Sequence, residues 1–399
     1  MNPIELNEEE PKTLTPEQFD REAARLLRND PKKRVSVEVP NILDNRYVLK
    51  SNGWVGFLPL TDKYALHIKP KVENQNLFRM LEYAYKLESF EFLKGDIRVT
   101  SVEDIFENLA SILAKKIIDR SRKGLYLDYV NREEDLSNLR GKIEFIPSYL
   151  SISRGKAYLR CNYSEQTLDL IENQILLWTI YRLRKHQFKR VDVAHLLNIA
   201  YRELVDKIDI ITIRPNECIN RLYNRLNQDY ESMHILCRFF LEHSGPGTEV
   251  GDEDFLPFML DMPLLFERFV AEWLEINLPK KFTNVRLEKQ YKFDLDDKGD
   301  FSFLIDLVIK DSTDQSTLAV LDTKYKQEKA TSTDISKVIA YASSMKTNKA
   351  FLIYPEKLPK EVNLISGPIH VKDLFFEINN DIEKNGEVFL ENLKNKLYE

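Results

Sequence analysis

Two neighbouring apolar runs in the last third of the chain are each broken by an aspartate. Phe301-Ser302-Phe303-Leu304-Ile305-Asp306-Leu307-Val308-Ile309 holds the first. Leu318-Ala319-Val320-Leu321-Asp322-Thr323-Lys324-Tyr325 holds the second and adds a lysine two residues later. Both runs read as strands, and the polar connection between them makes pairing natural. Asp306 then sits beside Asp322, and Asp322 and Lys324, two apart, share a face. A carboxylate at the end of an apolar strand is costly unless it is paired, hydrogen-bonded or bound to a cation. This pair of strands therefore demands a sheet that carries a cluster of charge. Periodicity places further elements around it: a helix from Pro263 to about Leu278, strands at 284–293, 301–310 and 317–324, a helix at 333–346 and a strand at 349–354. That order predicts a mixed-sheet α/β core.

Two carboxylates and a strand carbonyl are hard oxygen ligands suited to Mg²⁺ or Mn²⁺. Asp306 and Asp322 are the candidate ligands, with the Thr323 carbonyl as a further one. Lys324 is the candidate to orient a metal-bound water and to neutralise charge developing on a phosphate. Glu267, on the preceding helix, is the candidate to bind or support a second cation or the water. Such a series is the minimum apparatus for metal-dependent phosphodiester hydrolysis. A lone Asp-x-Lys is usually a surface ion pair. The ordered series of helix Glu, strand Asp, strand Asp-x-Lys and helix is what carries weight.

The remainder divides by composition and period. Residues 1–12 read as a loose acidic leader. Thr15-Pro16-Glu17-Gln18 has the chemistry of a helix start, with the helix running to about Arg28. Residues 34–72 alternate as short antiparallel strands, a small barrel or curled sheet, and residues 75–90 return to helical spacing. Helices dominate from Val102 to Phe240 apart from 136–163, with apolar faces at 166–188 and 192–207. Ser244-Gly-Pro-Gly-Thr-Glu-Val-Gly251 is the candidate linker. The expected organisation is thus an α/β multidomain protein. It has a β-rich part with a leader helix at 1–100, a mainly helical part at 101–243 and the α/β core at 252–399.

The formal charge of −6 on 399 residues argues against a protein that grips nucleic acid over its whole surface. The charge is uneven: residues 111–240 carry a net +6 and residues 241–399 a net −9. Arg182, Arg184, Lys185, Lys189 and Arg190 form a basic stretch. Their spacing spreads the charges over more than one face, which favours a solvated helix end over a phosphate-binding patch. Three cysteines without C-x-x-C spacing read as reduced core thiols in a cytoplasmic protein. Six scattered histidines make a zinc cluster improbable. No run approaches a membrane span and no signal-peptide pattern opens the chain. No Gly-x-x-x-x-Gly-Lys-Ser/Thr loop is present, so the chain does not hydrolyse GTP or ATP by that route.

The segment from Phe301 to Tyr354 resembles the PD-(D/E)xK nuclease superfamily. The chain from about 34 to 356 resembles the McrC family, nuclease subunits of McrBC systems that restrict modified, 5-methylcytosine-containing DNA. Its N-terminal likeness lies in Trp54-Val55-Gly56, Leu66-His67-Ile68-Lys69-Pro70-Lys71-Val72 and Met80-Leu81-Glu82-Tyr83-Ala84. Its middle likeness lies in Leu139-Arg140-Gly141-Lys142-Ile143, Cys161-Asn162-Tyr163, Asp169 and Glu172-Asn173. Its nuclease likeness lies in Leu265-Phe266-Glu267 and Leu321-Asp322-Thr323-Lys324-Tyr325-Lys326. The resemblance implies a McrB-like AAA+ GTPase hexamer as partner, docked on the N-terminal domain and stimulated by it. It also implies double-stranded DNA with modified cytosine as substrate. Two departures stand out. Ile305 replaces the proline that usually precedes the first aspartate. In the later Asp-x-x-Gln-x-x-x-Tyr pattern, Asp334 and Tyr341 keep their places but Lys337 replaces glutamine. Lys337 is then a candidate to contact a phosphate or to pair with Asp334, and Lys326 a further phosphate contact. Two other readings remain open: a nuclease-fold adaptor that only activates its motor, and a nuclease acting alone in repair or toxicity.

Overall fold

In the computed structural model, the acidic first residues belong to a sheet. The structure describes every residue except 1, 41–44, 88–100, 187, 245–247, 251–252, 256, 297, 299 and 327. The chain opens with β1 (Asn2–Asn7), β2 (Lys12–Leu14), α1 (Arg21–Arg28), β3 (Val35–Glu38), β4 (Tyr47–Ser51), β5 (Trp54–Pro59), β6 (Tyr64–Lys69) and α2 (Asn74–Ala84). β1 runs parallel to β6 and buries Ile4 and Leu6. The expected loose leader is therefore corrected: the run of glutamates at 8–10 masks an alternation that points Ile4, Leu6 and Glu8 inward. The helix start is corrected as well. Thr15 to Gln18 closes a separate turn, in which the Gln18 amide donates to the Thr15 carbonyl. α1 begins one turn later, where the Asp20 carboxylate accepts from the Ala23 amide at 2.9 Å. Asp20 does the capping that Thr15 was expected to do.

The middle of the chain supplies α3 (Val102–Lys123), β7 (Asp128–Leu136), β8 (Lys142–Ile143), α4 (Phe145–Ser153), β9 (Leu159–Thr167), α5 (Ile171–Leu183), α6 (Val191–Val205) and α7 (Tyr230–His243). β8 and β7 flank β9 in an antiparallel sheet. The core of this part is pinned by polar groups. Asn173 donates to the carbonyls of Tyr126 and Leu168, and its own side-chain oxygen accepts from Tyr230 at 2.6 Å. Buried polar groups persist when satisfied in this way. Asn173 and Asp169 thus have structural work, Asp169 accepting from Gln174 and from the Asp209 amide. The basic stretch is consumed locally: Arg184 bonds Asn198 and stacks on Tyr201, and Arg190 pairs with Asp192. Cys161, Cys218 and Cys237 are buried and free. On α4, Phe145, Ile146 and Tyr149 are exposed at 79%, 76% and 72%. The expected linker at 244–251 lies partly outside the described residues. Within it β10 (Thr248–Val250) pairs with β11 (Glu253–Phe255).

The chain then forms β12 (Phe258–Asp261), α8 (Met262–Lys281), β13 (Val285–Asp294), β14 (Ser302–Asp311), β15 (Thr317–Thr323), α9 (Ser332–Ser344), β16 (Lys349–Tyr354), β17 (Asn363–Ser366), β18 (Ile369–Phe375) and α10 (Ile382–Tyr398). Six of these strands make one mixed sheet in the order β13-β14-β15-β16-β18-β17. β13, β14 and β15 are antiparallel neighbours, whereas β15, β16 and β18 are parallel, with α9 as the crossover between β15 and β16. Val338, Tyr341 and Ala342 of α9, with Met345 that caps its end, pack on Ile305, Val320, Ala350 and Leu352.

The chain forms two compact units, Met1–Ile105 with Pro257–Glu399, and Phe106–Leu256. The sequence reading separated 1–100 from 252–399. In the structure β12 completes the N-terminal sheet β1-β6-β5-β12, pairing with β5. Gly56 permits this pairing, since its φ is +119° and a Cβ there would lie 2.3 Å from the Phe258 carbonyl oxygen. α2 packs on α8, Asn76 donates to the Asn380 carbonyl, and Lys86 pairs with Glu272 and Glu275. Local periodicity carries no trace of a strand pairing made across 200 residues.

Candidate active site

The ladder between β14 and β15 aligns Leu307 with Leu321 and Val308 with Val320. Continued by one residue, that register sets Asp306 opposite Asp322, on one face of the sheet. Asp322 is fully buried at 0% exposure. The Thr323 amide and hydroxyl both donate to Asp306 Oδ2, at 2.8 and 2.9 Å. Burial and the neighbouring Asp322 push the Asp306 carboxyl above its usual range, and the Thr323 bonds pull the other way. Lys324 ion-pairs with Asp322 Oδ2, yet that oxygen receives no aligned hydrogen bond. Oδ1 accepts from Lys337 of α9 at 2.9 Å.

Glu267 comes from α8, the helix that Asp261 caps and Pro263 opens. Burial pushes its carboxyl up to about 7, with Asp306 and Asp322 adding repulsion. Gln290 donates to Glu267. The β13–β14 ladder is bonded at Lys289 and Tyr291 but skips Gln290, which faces Asp306 with a left-handed φ of +48°. Such a conformation is rare for a residue with a side chain and clusters at functional sites. The sequence carried no signal for Gln290, because its role depends on a local break in the ladder.

The supporting residues are placed as follows. Asp334 is taken up by the helix start: it accepts from the Thr331 amide and hydroxyl and pairs with Lys326. Lys326 is thereby engaged with a carboxylate. Lys337 pairs with Asp322, not with Asp334. The Tyr341 hydroxyl donates to the Leu304 carbonyl at 3.0 Å, holding the backbone where the expected proline is absent.

A second residue, Glu8, escaped the sequence reading. Tyr325, next to Lys324, donates toward Glu8 at 3.3 Å, and the Lys71 amide donates to the same carboxylate oxygen at 3.0 Å. The other oxygen of Glu8 is buried with no hydrogen-bond partner, and the residue is only 3% exposed. Burial raises its carboxyl from 4.5 to about 7. Protonated Glu8 carries no such penalty below about 4.5; as pH rises through about 7 the native state must ionise a buried group, and that stability is lost. Glu8→Gln should therefore stabilise the protein at pH 8 by roughly 2 kcal/mol and make little difference near pH 5. Thermal unfolding of both proteins at the two pH values checks this.

Residues 49–355 match the family model of McrBC, described as a 5-methylcytosine restriction system component. The chain belongs to the McrBC family. It is 23% identical over 308 residues to the type IV methyl-directed restriction enzyme EcoKMcrBC of Escherichia coli (strain K12), covering 72% of this chain and 87% of that relative. Its fold resembles a solved half-complex from a tetradecameric assembly of Thermococcus gammatolerans McrB AAA+ hexamers with bound McrC. There the TM-score is 0.56 at 18% identity, over 98% of this chain and 100% of the other. The match supports the α/β multidomain architecture along nearly the whole McrBC-family chain. No described helix is long and apolar enough to cross a membrane.

A divalent cation is what the donor set of this McrBC-family site suits. The raised carboxyls of Asp306 and Glu267, and the one buried Asp322 oxygen without an aligned hydrogen bond, are groups that a cation would relieve. Among the described residues no three His, Cys, Asp or Glu side chains form a ready cage. The site is open, and water or substrate oxygens would have to complete the coordination, as Mg²⁺ ordinarily requires.

Proposed function

We propose that this chain is the DNA-cleaving subunit of a McrBC-like restriction complex, with a PD-(D/E)xK centre. The observation that carries the reading is Asp306 facing Asp322 beside Lys324, in a chain of the McrBC family. Asp306, Asp322 and the Thr323 carbonyl would hold Mg²⁺ or Mn²⁺, with Glu267 alongside. When bound, the cation supplies Lewis acidity toward a phosphoryl oxygen and a water of lowered pKa. Thr323 fixes Asp306, Gln290 fixes Glu267, and Lys324 offers its ammonium to the attacking water and to charge developing on the phosphate.

The partner in this reading is a McrB-like AAA+ GTPase hexamer, and the substrate is duplex DNA carrying modified cytosine. Docking through residues 1–100 is what the family resemblance implies. The exposed apolar face of α4 is a further surface suited to a protein partner. A net charge of −6 fits a subunit delivered to DNA by its motor, and the isolated chain should bind DNA weakly at physiological salt. One observation favours the adaptor reading instead: Lys337 neutralises Asp322. Mixing the chain with its motor, GTP and modified plasmid separates the two. A nuclease subunit gives cleavage together with stimulated GTP hydrolysis, whereas an adaptor gives stimulation alone.

A further inference from the structure

We infer that Lys337 is a built-in counter-ion that competes with the divalent cation for Asp322, so that this centre binds metal only against an internal ammonium group. The inference rests on the nuclease reading above.

The geometry is specific. The Thr331–Asp334 capping box fixes the start of α9, and Lys337 follows Asp334 by three residues, near one helical turn on. Its Nζ lies 2.9 Å from Oδ1 of the fully buried Asp322 and 5.3 Å from the Tyr341 ring centroid. The other oxygen of Asp322 faces Lys324. One carboxylate therefore meets two ammonium groups, one for each oxygen. Burial works against the charge of Lys337, and Asp322 more than offsets it, so its ammonium is held above the usual lysine range.

Charge counting shows the consequence. With Glu267, Asp306 and Asp322 ionised, Lys324 alone would leave the cluster at −2, suited to a divalent ion. Lys337 reduces it to −1. A cation approaching Asp322 must displace a charged hydrogen bond and then tolerate the displaced ammonium nearby. A glutamine at this position would donate a hydrogen bond without charge. Lys337 is also able to leave: its side chain is 42% exposed on a flexible four-carbon stem. Released by the metal, it remains beside the centre as a positive group for a DNA phosphate. Lys337 acts here as a positioning residue, and its test reads metal binding without DNA or turnover.

The experiment is a Mn²⁺ titration of the full-length chain, followed by electron paramagnetic resonance and calorimetry. It compares wild type, Lys337→Gln, Lys337→Arg and Asp322→Asn, each checked for folding by circular dichroism. Lys337→Gln should bind Mn²⁺ about tenfold more tightly or better. Lys337→Arg, which keeps the charge, should stay near wild type. If Lys337→Gln binds no more tightly than a wild type whose binding needs Asp322, the inference falls and the nuclease reading stands. If Asp322→Asn binds as wild type does, or if no protein binds, the nuclease reading falls and takes the inference with it. Binding that appears only in Lys337→Gln supports the inference.

Discussion

Asp322→Ala should abolish DNA cleavage by the reconstituted complex, a loss of about 10³-fold or more, and should leave the partner's GTP hydrolysis stimulated as by wild type. The reason is the position of Asp322. It is buried in β15, faces Asp306, and meets Lys324 and Lys337 at its two oxygens. Removing the carboxylate deletes a candidate metal ligand and leaves both lysines without their anion. Because two unpaired ammonium groups beside a buried position also cost stability, Asp322→Asn belongs beside it. The amide keeps the shape and a hydrogen-bond acceptor but not the charge. Both variants should lose cleavage, and parallel cleavage and GTP-hydrolysis assays read the two activities separately. Wild-type cleavage by either variant would remove Asp322 from the chemistry.

Trp273→Ala should cost about 3–5 kcal/mol of stability, measured as a shift in denaturant unfolding. Trp273 sits on α8, the helix that carries Glu267, and is 2% exposed. Its ring meets Phe376 and Phe389, which themselves stack, and α10 approaches it at Gly386. A Cβ on Gly386 would lie 2.2 Å from Trp273 Cζ2. Glycine is therefore required there by close approach, and Gly386→Ala should destabilise by about 1–3 kcal/mol through overpacking. The two sites share one volume, so their effects should not add. In the Trp273→Ala background the Gly386→Ala cost should largely vanish. Full additivity would show that the ring and the glycine do not compete for the same space.

The strands and helices from 262 to 354 were legible because each has a strong period and clean ends. Asp261 and Pro263 mark the start of α8, and Thr331 and Asp334 mark α9. The opposition of Asp306 and Asp322 followed from pairing two adjacent runs, the simplest topology a short connection allows. What stayed hidden depends on distance or on distortion. β1 was obscured by its acidic neighbours, and its partner lies 62 residues away, Asn2 opposite Tyr64. The join between β5 and β12 pairs Phe57 with Phe258, with the whole of the second unit lying between them in sequence. Gln290 reaches Glu267 through a left-handed residue that no composition rule anticipates. Lys337 stood out as a lysine in place of glutamine, but only the packing of α9 on β15 shows that it answers Asp322 and leaves Asp334 to Lys326. Glu8 looked like one of three surface glutamates, and its burial against Tyr325 emerges only once β1 joins the sheet.

The most direct measurement is cleavage of a plasmid containing 5-methylcytosine by the wild-type chain with its AAA+ partner and GTP. Mg²⁺ is titrated from zero, and EDTA is the control. The expected result is linear product that appears with Mg²⁺, disappears with EDTA and requires both proteins. Undiminished cleavage in EDTA, or stimulated GTP hydrolysis with no strand broken at any Mg²⁺ concentration, would contradict a metal-dependent nuclease centred on Asp306 and Asp322.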